Sequence, residues 1–186
     1  MQSPDQEIII QDTKNWLEKA VIGLNLCPFA KSVYVKNQVR IVVSEAKNPA
    51  TLLEHLMMEL KLLQETPPEE TDTTLLVHPQ VLTRFLDFND FLEIADAAVE
   101  QLGLEGEIQV ASFHPRFQFA DTTINDPGNL TNRSPYPTLH LIREFSIAKA
   151  VEAFPDPEAI FERNIEVVEE LGHQGWAALD VGPHLK

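Results

Sequence analysis

The sequence predicts an α/β domain: a mainly parallel or mixed four-stranded sheet with helices flanking it in two or three layers. Three observations carry that expectation. β-Branched or apolar runs recur at residues 39–43, 73–78, 107–113 and 137–143. Between the first three lie segments whose apolar residues repeat at helical spacing. Two successive strand–helix–strand units imply right-handed crossovers beneath covering helices. The fourth strand follows a long loop and can pair antiparallel. A ferredoxin-like α+β arrangement is the alternative topology.

The first helix is expected over residues 5–25, with Ile9, Trp16, Leu17, Ala20, Val21 and Leu24 on one stripe. Pro28 disfavours helical geometry at Cys27 and stops it there. After the first strand, Asn48 is an N-cap and Pro49 opens a helix carrying Leu52, Leu53, Leu56, Met57, Leu60 and Leu63. Residues 66–72, acidic and with paired prolines, read as an exposed loop. Pro79 closes the second strand. A helix over residues 89–102 turns Phe91, Leu92, Ala95, Val99 and Leu102 inward and stops at Gly103. The third strand closes at His114-Pro115.

Residues 116–135 show no period, and a loop that long in a compact domain is either functional or disordered. On the fourth strand Leu139, Leu141 and Arg143 alternate with Thr138, His140 and Ile142. Ser146 is expected to cap a short helix that Pro155 ends. Asp156-Pro157 opens the last helix, with Ile160, Phe161, Asn164, Val167, Val168 and Leu171 inside. Gly172 and Gly175 end it, and residues 176–179 pack back onto the body.

The chain of 186 residues reads as one domain over 1–186, with residues 114–136 as an ordered polar loop over the strand ends. Its 14 Lys and Arg against 29 Asp and Glu give a net charge of −15. That balance lacks the basic footprint of a nucleic-acid partner. A single cysteine excludes a disulfide framework and a Cys-rich zinc cluster. No apolar stretch approaches the ~20 residues a membrane span needs. The start carries no basic, apolar signal pattern, so a cytoplasmic location is expected. Walker, dinucleotide-glycine, His-Glu-x-x-His and Gly-x-Ser-x-Gly patterns are all missing.

Chemistry concentrates in a few segments. Ligands of open α/β sheets bind beyond the carboxyl ends of strands, where His78-Pro79 and His114-Pro115 stand. His114, with an ordinary pKa near 6.5, suits acid–base work. Arg116, Arg133 and Arg143 are forks for a phosphate or carboxylate, with Asn132, Ser134, Tyr136 and His140 as further binding residues. Cys27 is a possible nucleophile beside a base; its bland alternative is a packed thiol. For Arg143-Glu144 the bland alternative is a local ion pair.

Cys27-Pro28-Phe29-Ala30, Ala111-Ser112-Phe113-His114-Pro115, Asn132-Arg133-Ser134-Pro135-Tyr136-Pro137 and His140-Leu141-Ile142-Arg143-Glu144 together resemble a bacterial family of unknown function, number 1415. The likeness runs from about Trp16 to Leu171. It implies a compact stand-alone protein and no mechanism or cofactor.

Three function classes follow. The first is a hydrolase or group transferase on a small anionic substrate, held by the arginines and worked by His114 and Cys27. The second is a metal-dependent enzyme using His114, His140 and Cys27, with His78 or Asp121 as further ligands. The third is a non-enzymatic binding or accessory protein. A shared concave pocket favours the first two, and a flat surface the third.

Overall fold

A computed structural model describes residues 3–154 and 156–185. Helix α1 (Pro4–Trp16) begins at a capping box between Ser3 and Gln6 and runs on without a break into a π-helical turn, Leu17–Ile22. After a bend at Cys27-Pro28 come α2 (Ala30–Val35), β1 (Val39–Val43), α3 (Pro49–Glu65), β2 (Thr73–Val77), α4 (Phe85–Gln101) and β3 (Ile108–Phe113). A 3-10 helix (Pro127–Asn132) interrupts the long loop. Strand β4 (Thr138–Arg143), α5 (Glu144–Ala153) and α6 (Pro157–Ala178) complete the chain.

The sheet order is β1-β2-β4-β3. β1 and β2 are parallel, and β4 is antiparallel to both β2 and β3. Both helical crossovers therefore exist, but the second steps over one position and β4 fills it. The sheet is mixed for that reason, and its connectivity is the strand–helix–strand one rather than the ferredoxin-like alternative.

Residues alternate across the pleat. One face carries Val42, Leu76, Ile108, Val110, Leu139 and Leu141 and packs on α3 and α4. These helices bring Leu52, Leu56, Leu60, Leu63, Phe88, Phe91 and Ala95, all buried, onto that face. Asn48 caps α3 as expected, its side chain accepting from Thr51 N–H at 2.9 Å. The opposite face carries Ile41, Leu75, Val77, Phe113 and His140, and part of it is covered by α1 through Ile9 and Trp16 and by the π-helical turn through Leu17.

Several boundaries differ from expectation. α4 starts at Phe85, four residues early, and α2 was not expected at all. Ser146 does not cap α5. The helix starts at Glu144, and the Ser146 hydroxyl donates to Asp72 at 2.7 Å. Pro155, expected to end α5, lies outside the described residues, as does the start at Met1 and Gln2. Gly172 breaks α6 with φ 65°, but helix resumes through Gly175 to Ala178. Phe161, expected inside, is 50% exposed. On α6 the inward position is Val168, packed with Leu26 and Leu130.

Candidate functional site

The cavity that brings predicted site residues together lies against the second sheet face, under the π-helical turn, α2 and α5. Its volume is about 300 Å³. Leu75, Ala111, Phe113 and Ile142 rise from the strands. Trp16, Leu17, Val21 and Cys27 come from the end of the first helix and its bend, and Ile147 and Ala150 from α5. The walls are almost wholly apolar, which the sequence dictates. Alternate strand positions on this face are Val, Thr, Leu, Ala, Phe, His and Ile, and the stripe of α1 meets them.

His140 sits near the middle of this face, with Leu75 and Ala111 as its cross-strand neighbours. Its Nε2 lies 2.6 Å from Thr73 Oγ1, and that hydroxyl lies 2.7 Å from the Leu141 carbonyl oxygen. A carbonyl can only accept, so the threonine hydroxyl donates to Leu141 and receives the Nε2–H of His140. Nδ1 is then unprotonated. It has no partner among the described residues, and the ring lines the cavity. Burial among apolar groups pushes the His140 pKa down to about 4, so the ring is neutral at pH 7. Asp72 and Thr73 at the start of β2 and Ser146 of α5 complete a small polar end.

Cys27 and His140 therefore share one cavity, and the remaining predicted residues lie elsewhere. His114 is fully buried beside Phe85 and Phe88, on the α4 side of the sheet. Its Nε2–H donates to Leu82 O at 3.0 Å and its Nδ1 accepts from Arg116 N–H at 3.0 Å. Both nitrogens are committed to backbone, and burial holds its pKa below the ordinary value. The expected pairing of His114 with Cys27 is corrected by this: the sheet stands between them. His78 is fully buried too, stacked on Phe88. Its Nδ1–H donates to Val81 O at 3.0 Å, its Nε2 has no partner, and its pKa is pushed down to about 4 by burial. The carboxyl ends of the strands, where a ligand was expected, are thus plugged by rings.

The polar loop holds itself. Arg133 donates from Nε to Phe117 O (3.2 Å) and from Nη2 to Ile124 O (2.6 Å). Asn129, fully buried, accepts from Phe119 N–H and donates to Thr123 O. Asn132 donates to Ser112 O, Ser134 to Tyr136 O, and Tyr136 to the buried carboxylate of Asp12. Arg143 makes no ion pair with Glu144; its Nη2 donates to the carbonyls of Leu63, Thr66 and Thr71 and so caps the end of α3. Of the predicted anion-holding arginines, Arg116 alone is exposed without a side-chain partner among the described residues, beside Arg84 in a shallow hollow at the start of α4. The enzyme expected on an anionic substrate would need Arg116, Arg133, His114 and Cys27 in one place, and they occupy different ones.

Among the described residues no group of three or more His, Cys, Asp or Glu side chains stands together as metal ligands. His114, His140 and Cys27 do not converge, and Asp121 is not on the cavity. No described helix is long and apolar enough to cross a membrane.

Sequence reasoning missed Trp16, Phe29, Tyr34, Phe113, Asp72 and Ser146 as cavity residues. The first four are indistinguishable from core by spacing, and Asp72 hides in an acidic loop. One signal points to the place only after folding: the π-helical turn Leu17–Ile22, a geometry that recurs at functional sites.

A family model described as a protein of unknown function (DUF1415) matches residues 8–178. No curated protein and no solved structure matches the chain.

Proposed function

We propose that this chain, which belongs to the DUF1415 family of proteins of unknown function, binds a small, largely apolar molecule in the cavity between the sheet and helices α1, α2 and α5. The observation that carries the reading is a free acceptor on a neutral ring, His140 Nδ1, set among apolar walls in a cavity of about 300 Å³. Sites for small ligands are concave, mostly apolar and fitted with few polar groups, and begin near this size. A hydrogen-bond donor on the ligand would satisfy Nδ1, and the apolar remainder would replace water that the walls hold poorly.

A second reading is supported by Cys27 lining the same cavity. Chemistry at the thiol on the bound molecule is the enzymatic version of the proposal.

The test uses Trp16, which lines the cavity, in a Trp176→Phe background that removes the only other tryptophan. A neutral apolar probe such as 2-phenylethanol should change Trp16 emission saturably and raise the melting temperature. Ala150→Phe, which fills the cavity from α5, should abolish both effects. A linear, unsaturable response in the folded parent protein would overturn the reading.

A further inference from the structure

Resting on that binding reading, we propose that the cavity selects a small lipophilic ammonium ion, held by the Asp72 carboxylate and an aromatic surround. The argument starts from charge. Among the described residues Asp72 is the only Asp, Glu, Lys or Arg that lines the cavity. One of its oxygens, Oδ1, accepts from Ser146 at 2.7 Å. Among the described residues the other has no partner, and none of their Lys, Arg or His side chains reaches the carboxylate within ion-pair distance. A carboxylate at the edge of an apolar space without a counter-ion is stabilised by any cation that can enter.

The hydrogen-bonding polarity points the same way. Every hydroxyl on the cavity donates elsewhere: Thr73 to Leu141 O, Ser146 to Asp72, and Tyr34 to Glu18. The two ligand-facing polar groups, His140 Nδ1 and Asp72, both accept. What remains for an acceptor is the uncharged indole N–H of Trp16 and the weakly polar thiol of Cys27. An ammonium group carries donors for both acceptors, whereas a carboxylate or phosphate would find one repelling charge and no strong donor.

The walls add the third argument. Trp16, Phe29, Tyr34 and Phe113 all line the space, and Trp16 and Phe113 meet edge to face at 5.0 Å between ring centres. Aromatic faces attract cations through their quadrupole, and they accept the alkyl or aryl body of the ion equally well. The net charge of −15 raises the local concentration of cations around the whole molecule.

Three probes of one shape decide the matter: 2-phenylethylamine, 2-phenylethanol and phenylacetate, each titrated at neutral pH against Trp16 emission in the Trp176→Phe protein and in the same protein carrying Asp72→Asn. The amine should bind about tenfold more tightly than the alcohol, with phenylacetate weakest. Asp72→Asn should bring the amine to within about twofold of the alcohol measured in the same variant. Equal binding of amine and alcohol to the parent protein would overturn the cation inference while leaving the cavity reading intact. An amine preference that survives Asp72→Asn would overturn the role of Asp72. Failure of all three probes would overturn the cavity reading itself. The parent titrations decide the first and last of these outcomes even if the variant does not fold.

Discussion

The two faces of the sheet are built from alternate residues of the same four strands, yet one is filled and the other hollow. On the filled face two 17-residue helices, α3 and α4, lay long apolar stripes over Leu76, Leu139 and Leu141, which are almost completely buried. On the hollow face α1 covers the end near Val77 and Tyr136, and the rest is roofed by the π-helical turn and by α2 and α5, which have six and ten residues and bury none of them. Strand residues alone therefore do not decide whether a sheet face becomes core or site. The length and stripe of the covering helix do. Two short helices leave a space that side chains of normal size cannot close.

The faces should respond differently to the same kind of change. Leu60→Ala, at a fully buried position on the filled face, should cost about 3–5 kcal/mol in urea unfolding. Ile147→Ala, on the roof of the hollow face, should cost about 1 kcal/mol or less and act mainly on ligand binding. Equal losses would erase the contrast.

Acid separates the faces less sharply, because each holds a buried neutral histidine. His78 and His140 both have their pKa pushed down to about 4, while in the unfolded chain it is 6.5. Between those values the unfolded chain binds the protons and the folded one does not, so stability is lost as pH falls from 6.5 towards 4. The loss is on the order of 3 kcal/mol for each ring. Urea midpoints across that range should fall, and His140→Phe should flatten part of the slope. A pH-independent midpoint would contradict the buried neutral rings.

Overfilling gives a further contrast. Ala95→Phe should destabilise the filled face by about 1–3 kcal/mol or more, because nothing there can move aside. Ala150→Phe should change stability by about 1 kcal/mol or less, because its ring enters existing space. The most local expected effect is in the polar loop. Arg133→Gln releases the carbonyls of Phe117 and Ile124 and should cost about 1–2 kcal/mol, with faster amide exchange confined to residues 117–126 and no change in ligand affinity.

Much of the fold was legible because periodicity reports burial directly. The alternation on β4 put Leu139 and Leu141 on one side and His140 and Ile142 on the other, as in the structure. A mixed sheet with an antiparallel fourth strand was among the expectations, but the place of β4 was not legible, since nothing local says that it inserts between β2 and β3. The site was legible only through Cys27 and His140. His114, Arg133 and Arg143 drew notice as reactive types, but their reactivity is consumed by backbone partners 2 to 80 residues away, and a linear sequence does not reveal such partners. Asp72 failed in the opposite direction: it looked like an exposed loop residue, and folding brought Ser146 and the cavity to it.

The central claim is that the hollow face, and not the filled one, takes a ligand. Methyl-resolved NMR during titration with 2-phenylethanol tests it directly. Shifts should grow saturably at Ala111, Ile142, Ile147 and Ala150, while Leu56, Leu60, Leu76 and Leu139 stay still. Saturable shifts at the second set with silence at the first would contradict the claim.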